Sequence, residues 1–266
     1  MQSLLEVCNL TVKFASPQGW TTAVYRASFT LDAGSVLALV GESSAGKTSL
    51  ALAILRLLPP GIARVTGTVL FNGVDLLGMT GEEIQLVRGN EIGMIFQEPA
   101  SALNPLLPVG AQVAEPLEVH RGMKPRDARQ EAVKLLGKAG LPDPALRARD
   151  YPHQLSGGMR QRVMVAAALA CDPVLLIADE PTSALDVMTQ SRLLDVLRGI
   201  QLENDLAVLL VSHDLGVVAA MADQVAVMHE GRILETTPVG ELFEKPRHPH
   251  TRALVAAACE LSGGDP

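Results

Sequence analysis

The sequence predicts an α/β fold: a parallel sheet with crossover helices, an N-terminal antiparallel β subdomain and an inserted helical subdomain. Three patterns carry this prediction. Short strand-like runs separated by turns fill the first part of the chain. A long segment of helical periodicity follows them. Beyond that segment, apolar runs alternate with helices, which is typical of a parallel sheet.

The N-terminal elements are short strands. Runs rich in β-forming residues lie at residues 4–7, 25–31, 36–40 and 68–71, with turn residues between them. We expect these runs to form an antiparallel sheet beside the segment that follows residue 40.

That segment fits the phosphate-binding pattern G-x-x-x-x-G-K-[ST]. Its glycines let the backbone N–H groups wrap around phosphates, and the helix after it directs its positive dipole end at them. Lys47 is expected to reach the β- and γ-phosphates and Thr48 to bind Mg²⁺. The alternative is a glycine-rich turn before an ordinary helix. The predicted nucleotide-binding residues of this loop are Gly41, Glu42, Ser43, Ser44, Ala45, Gly46, Lys47, Thr48 and Ser49.

The next elements are helical. The loop helix is expected over residues 47–58, because the prolines that follow it cannot continue a helix. From about residue 99 to 151 the pattern remains helical. Its clearest helix covers residues 126–139 and is stopped by Gly140 and Pro142.

The rest of the chain alternates strands and helices. Apolar runs lie at residues 174–178, 206–211 and 225–228, with helices expected at 187–204 and 215–222. This alternation predicts parallel strands joined by crossover helices.

Two carboxylates follow the apolar run at residues 174–178. Asp179 and Glu180 would lie where open parallel sheets place their ligands. We expect Asp179 to hold Mg²⁺ directly or through water and Glu180 to polarise the attacking water. By itself, a strand followed by Asp-Glu is better explained as a solvated strand end. Because the chain also has the phosphate loop, we favour the functional interpretation of Asp179 and Glu180.

A second anion site is predicted at Ser156, Gly157 and Gly158, which open a helix with exposed N–H donors. Two phosphate sites in one chain are explained if two such domains face each other and each caps the nucleotide of the other. The alternative is an ordinary helix with Ser156 as its N-cap.

Composition limits the class of protein. The chain has 266 residues, 48% of them hydrophobic, and a formal net charge of -7. That charge argues against binding nucleic acid by phosphate neutralisation and favours a protein partner. No apolar run approaches the roughly 18 residues of a membrane span, so any membrane role would be peripheral, and no signal peptide is visible. The three cysteines are widely spaced, which suits reduced thiols in the cytosol.

With these motifs in order, the chain resembles the ATP-binding cassette family of transport ATPases. Gly41 to Thr48 matches the Walker A loop, Gln97 the Q-loop, and residues 155–161 the family signature. Asp179-Glu180 resembles the end of Walker B, residues 183–186 the D-loop, and His213 the switch histidine. The resemblance implies ATP and Mg²⁺ as ligands. It also implies an ATP-binding P-loop NTPase core at residues 1–97 and 166–240, a helical signature subdomain at 98–165 and a C-terminal extension at 241–266.

The resemblance assigns roles to single residues. Gln97 would sense Mg²⁺ and the transmembrane partner, Asp186 would communicate across a dimer, and His213 would contact the γ-phosphate. A lone histidine after a strand could instead be a hydrogen-bonded structural residue. In sum, the expected catalytic residues are Glu180, His213 and Lys47, and the expected metal contacts are Thr48, Gln97 and Asp179.

Two positions need separate mention. Phe14 stands where the family places an aromatic that stacks on adenine, with Trp20 as the competing candidate.

Ser44 and Ala45 stand where relatives often have Gly-Ser. If residue 44 requires a positive φ, its serine costs on the order of 1 kcal/mol. We expect nucleotide binding to survive that cost.

Stretches at residues 57–60, 101–105, 151–154 and 245–252 resemble the peptide and nickel importer branch. That likeness implies a peripheral ATPase subunit on the cytoplasmic face of the inner membrane. Its partners would be two transmembrane permease subunits, a second similar ATPase, and indirectly an extracytoplasmic binding protein. A heterodimer is favoured over a homodimer, and residues 106–118 would help to dock the permease.

Several questions stay open at this stage. The cargo could be a peptide or nickel, and the rival classes are an exporter ATPase and a non-transport cassette ATPase acting on nucleic acid or ribosomes. His248 and His250 are too few ligands to make a metal site of the tail. Cys259 is the only cysteine near the end, so no iron–sulfur cluster is expected.

Overall fold

The computed structural model describes residues 3–183 and 185–261. They form two compact units. The first unit contains the residues up to Thr80 together with those from Ala207 onward, and the second contains Gly81–Leu206. The three-part domain division expected from the sequence stays a prediction. Among the described residues, no helix is both long and apolar enough to span a bilayer.

In chain order the strands are β1 (Leu5–Ser16), β2 (Gly19–Leu31), β3 (Val36–Val40), β4 (Ala63–Phe71), β5 (Val74–Asp75), β6 (Ile92–Ile95), β7 (Leu175–Asp179), β8 (Ala207–Ser212), β9 (Gln224–His229) and β10 (Arg232–Pro238). The helices are α1 (Lys47–Ile54), α2 (Gly81–Val87), α3 (Pro99–Ala102), α4 (Val109–Arg121), α5 (Pro125–Lys138), α6 (Pro144–Arg147), α7 (Gly157–Ala168), α8 (Val187–Asn204), α9 (Leu215–Met221), α10 (Val239–Glu244) and α11 (Pro249–Leu261). A short 3₁₀ helix covers Pro152–Gln154.

The first unit contains an antiparallel sheet in the order β2-β1-β4-β5. It also contains β10, β9, β3 and β8 as neighbouring strands, in that order. β3 pairs in parallel with both β8 and β9, and β10 adds an antiparallel edge. Every residue of β3 and β8 is buried, which explains their continuous apolar sequences. The P-loop NTPase type of α/β fold is confirmed.

Strand register in the first unit decides which loops meet. Val40 of β3 pairs with Ser212 of β8. Because parallel strands end at the same edge of a sheet, the loop after β3 and the loop after β8 emerge together. Gly41 and His213 are therefore close neighbours at this edge.

The second unit contains the parallel pair β6 and β7, in which Ile95 pairs with Ala178. Its helices α4, α5 and α7 pack on one another. In α5 the buried residues recur at the spacing of one helical face, which gives the helix its apolar side. These buried residues are Ala128, Ala132, Leu135 and Leu136.

Several boundaries differ from those expected. α1 ends at Ile54 and not at residue 58, because Arg56 adopts a left-handed φ of 53° that no helix can continue. β1 and β2 extend well beyond the apolar runs that predicted them. α8 has the bounds that were predicted. β5, β6, β10, α2, α10 and α11 were not predicted from the sequence.

Candidate active site

The phosphate loop joins β3 to α1 in the first unit and has a strained backbone. Gly46 adopts a φ of 100° and Gly41 a φ of 156°. A Cβ atom at Gly41 would overlap the carbonyl oxygen of Met228, and one at Gly46 would overlap the carbonyl oxygen of Ala23. Both glycines are therefore required by close backbone approach, and Gly46 is required also by its conformation.

Lys47 is the first residue of α1, and its side chain lies buried along the loop. Its Nζ donates hydrogen bonds to the carbonyl oxygens of Gly41 and Glu42, each 2.8 Å away. The ammonium group is thus positioned within the curve of the loop. Thr48 and Ser49 follow in the first helical turn and are half-buried, whereas Glu42 and Ser43 are exposed.

Ser44 adopts a φ of 71°. A positive φ at this position is the condition under which serine costs conformational free energy, and Ser44 meets it. The loop keeps its shape because Ala45 N donates to Glu42 O at 3.1 Å and Ala45 O accepts from Gly231 N at 3.0 Å.

The hydrogen bond from Gly231 N to Ala45 O comes from the β9–β10 turn (residues 230–231). No sequence pattern linked this turn to the phosphate loop. Met228 lies just before this turn and contacts the loop at Gly41. Tyr25 N of β2 donates to Gly231 O at 2.7 Å, so the turn also contacts the antiparallel sheet. The signal in the sequence that could have indicated a tight turn here was the glycine at position 231. In the structure this residue adopts a φ of 78°.

His213 follows β8 and is exposed. The register of β3 and β8 places it at the edge where the phosphate loop begins. The next residue, Asp214, accepts hydrogen bonds from the backbone N–H groups of Gly216 and Val217 and so caps α9. The cap fixes the chain direction directly after His213.

In the second unit, Asp179 ends β7 and is 2% exposed. Glu180 follows it in a left-handed conformation with a φ of 46°. Such a backbone is uncommon for glutamate, although several other non-glycine residues of the described chain, such as Arg56 and Glu230, also adopt it. Gln97 follows β6, and its Nε2 donates to Glu180 Oε2 at 3.1 Å. The structure thus brings together Gln97 and Glu180, which the sequence predicted as functional.

The predicted second anion site lies at the start of α7. Ser156 caps this helix by accepting a hydrogen bond from Met159 N at 3.3 Å. Gly158 approaches α8 closely, since a Cβ there would lie 2.9 Å from Thr189 Cγ2. A cavity of about 520 Å³ opens at this point. Its lining includes Ser156, Gly157, Gly158, Arg162, Asp186 and Arg192.

Asp186 lies within the same cavity and caps α8. Its carboxylate accepts hydrogen bonds from the hydroxyl of Thr189 at 2.7 Å and from Thr189 N at 3.0 Å. Those bonds lower the pKa of Asp186, the hydroxyl bond contributing most. Asp186 is therefore a carboxylate whose direction is fixed by the helix. Ala184 of the predicted D-loop lies outside the described residues.

The two adenine-stacking candidates lie on neighbouring strands. Phe14 of β1 is half-buried and pairs with Thr21 of β2. Trp20 of β2 is 38% exposed, and the guanidinium of Arg64 lies 4.0 Å from the centre of its ring. Because the Arg64 cation already covers one face of the Trp20 ring, Phe14 is favoured as the aromatic that would stack on adenine.

The sequence and the fold are both similar to those of known proteins. The ABC transporter family profile matches residues 24–183, which is more than half of the chain. The chain belongs to the ABC transporter family. As an ABC ATPase it binds and hydrolyses ATP.

Similar proteins of this family are known in Bacillus subtilis. The dipeptide transport ATP-binding protein DppD is 46% identical over 98% of this chain and 78% of its own length. The oligopeptide transport ATP-binding protein OppD is 47% identical over 96% of this chain and 71% of its own length.

Solved structures of ABC cassettes share the fold. A dimeric structure of the cassette MJ0796 bound to ADP and Pi has a TM-score of 0.80 and 27% identity, covering 88% of this chain and 98% of that one. The structure of cbiO1 from Clostridium perfringens, part of the ABC transporter complex cbiONQ, has a TM-score of 0.76 and 25% identity, covering 99% of this chain and 100% of that one.

Proposed function

We propose that this ABC ATPase powers the import of peptides. The observation that carries the proposal is the identity of 46% to DppD and 47% to OppD over nearly the whole chain. The names of those two proteins give dipeptides and oligopeptides as cargo, and neither gives an indication of nickel. The importer-like stretches noted in the sequence support the same branch.

The phosphate loop would hold the nucleotide. Its backbone N–H groups and the start of α1 face the phosphates, and Lys47 would exchange its bonds to Gly41 O and Glu42 O for bonds to phosphate oxygens. The donors predicted for Mg²⁺ are the Thr48 hydroxyl, the Asp179 carboxylate and the Gln97 amide, all of them hard oxygen ligands that suit this ion. When bound, Mg²⁺ would neutralise charge on the phosphates.

Hydrolysis requires a water directed at the γ-phosphate. Glu180 would orient this water and polarise it, and its left-handed backbone together with the bond from Gln97 fixes the direction of the carboxylate. His213 would contact the γ-phosphate from the end of β8. Because Gln97 is also the residue proposed to sense the permease, its bond to Glu180 offers a direct path from transport to catalysis.

The second anion site would serve a facing ATPase subunit. The cavity at Ser156, Gly157 and Gly158 presents the N-terminus of α7, and two arginines line it. Asp186 borders the same cavity and would communicate across the dimer. The dimeric MJ0796 cassette with ADP and Pi supports this arrangement.

The assembly would contain two permease subunits, a second ATPase that we propose to be a similar but non-identical chain, and an extracytoplasmic binding protein that delivers cargo. The chain would lie at the cytoplasmic face of the inner membrane. Leu106 and Leu107, which precede α4, are 81% and 42% exposed and fit a permease contact.

Affinity purification of the tagged chain from gently solubilised native membranes tests this proposal. We expect two polytopic subunits and a second ATPase to co-purify, and the associated binding protein to bind peptides in a calorimetric titration. Co-purification of ribosomal or DNA-repair proteins would contradict the transport role, and a permease without any binding protein would indicate an exporter. Nickel binding without peptide binding would change the cargo.

A further inference from the structure

Three side chains that are distant in sequence meet beside the phosphate loop. They are Glu42 of the loop, His229 at the end of β9 and His250 in the first turn of α11. One ligand atom from each lies within 4.8 Å of the others. Nε2 of His250 is 3.9 Å from Oε1 of Glu42, and the two imidazole rings have their centroids 3.7 Å apart.

Separate interactions position each member of this Glu42–His229–His250 cluster. His229 directly follows Met228, whose carbonyl oxygen contacts the loop at Gly41. The segment before α11 is bound to Glu235 of β10, whose carboxylate accepts hydrogen bonds from Arg247 N and His248 N. The cluster is thus the meeting point of fixed backbone segments.

The chemistry of the cluster suits a metal ion. In the part of the chain that the structure describes, Nε2 of His250 is buried and makes no hydrogen bond. A buried polar atom of this kind normally has a partner. His248 does not fill this role, because its Nδ1 accepts a hydrogen bond from His250 N at 3.1 Å. The tail histidines alone are too few ligands, and Glu42 and His229 supply the others.

We propose that Glu42, His229 and His250 form a binding site for a divalent transition-metal ion of the zinc type. Two imidazoles and one carboxylate are a ligand set that zinc uses, with a fourth position left for water. Nitrogen ligands also select against Mg²⁺, which prefers oxygen. Ligands at about 2.1 Å from a tetrahedral ion lie roughly 3.4 Å apart, so the cluster must contract on binding, and the exposed Glu42 side chain can move inward.

A bound ion would join the phosphate loop, the end of β9 and α11 through one centre. Because such an ion binds the folded chain and has no preformed site in the unfolded one, it stabilises the first unit in proportion to its concentration over its Kd. Zinc binding at this cluster would be independent of the cargo and of import.

The test is a Zn²⁺ titration of the purified, chelator-treated full chain against a coloured zinc-binding dye. We compare wild type with His229→Gln and His250→Gln, and use His153→Gln as a matched control, since His153 is exposed and lies outside the cluster. We expect both cluster variants to lose at least about tenfold in affinity and the control to match wild type. Excess Mg²⁺ should not displace zinc from wild type.

Thermal unfolding of the same proteins gives a second readout. Zinc should raise the Tm of wild type and of His153→Gln, and at the same zinc concentration should raise the Tm of both cluster variants clearly less. Equal zinc affinity and equal Tm shifts in all four proteins would overturn the proposal, as would displacement of zinc by Mg²⁺. A cluster variant that does not fold is replaced by the Asn variant at the same position.

Discussion

Ser44 shows how much of the phosphate loop depends on single backbone conformations. At a φ of 71° a serine carries a conformational cost on the order of 1 kcal/mol that a glycine does not. The serine already occupies this conformation in the folded chain. Its cost therefore falls on folding, and nucleotide binding needs no further distortion at this position.

We accordingly expect Ser44→Gly to change the Kd for ATP by less than about threefold, because relief of strain is offset by the greater flexibility of glycine. Titration with a fluorescent ATP analogue measures this. Ser43→Gly is the matched control, since residue 43 adds the same flexibility without a positive φ. Saturable binding by the variant but not by wild type would contradict the expectation.

At the scale of elements, the attachment of α11 depends on one buried carboxylate. Burial acts to raise the pKa of Glu235, but hydrogen bonds from the backbone of His248 and Arg247 outweigh it, so the pKa of Glu235 is lowered. Because the pKa is lowered in the folded chain, the ionised carboxylate stabilises the fold at pH values above its ordinary pKa of 4.5. This stability is lost as the pH falls through the lowered pKa.

Glu235→Gln should therefore loosen the segment that precedes α11. The amide keeps one acceptor oxygen but turns its NH₂ group toward backbone donors, which costs about 1–3 kcal/mol. The protection of residues 247–258 against hydrogen exchange, relative to the intrinsic rate at each pH, should fall at neutral pH in the variant and only in acid in wild type. Glu244→Gln, an exposed change on α10, serves as control. Unchanged exchange in Glu235→Gln would show that other contacts attach α11.

Elements with strong local patterns were predictable from the sequence. β3 is a continuous apolar run, β7 and β8 are apolar up to their last residue, and α8 is a long helix that begins at a capping aspartate. β10 was not predictable, since its half-exposed sequence lacks strict alternation. The functional motifs were found from residue spacing. The contacts of Met228, Gly231 and Glu235 were not, because they join segments that no local pattern relates.

At the scale of the whole molecule, we propose a cycle in which two ATPase subunits associate when ATP is bound and separate after hydrolysis. Association should depend on bound ATP, and release on the hydrolysis step assigned to Glu180. ATP at a thousandfold excess over its Kd stabilises the bound state by about 4 kcal/mol, which is enough to shift a two-state equilibrium strongly.

Glu180→Gln should retain ATP affinity and lose turnover by at least about a hundredfold, because the amide cannot polarise water. Radiolabelled ATP measures both quantities, and light scattering reports whether the variant self-associates with ATP. Glu203→Gln on the exposed side of α8 is the control. Undiminished hydrolysis would remove Glu180 from the mechanism. Tight ATP binding without self-association would favour a non-identical partner.

The contact between the phosphate loop and the β9–β10 turn bears on how the chain matures during synthesis. The loop needs Met228 and Gly231, and β3 needs β8 and β9 on either side of it. All of these residues emerge from the ribosome long after the loop itself. Contacts between residues this distant in sequence form late in folding. The entropy cost of closing the intervening loop must be met before these contacts stabilise the chain. We therefore expect a nascent chain to bind ATP only after residue 231 has emerged, because the phosphate loop lacks these supporting contacts until then.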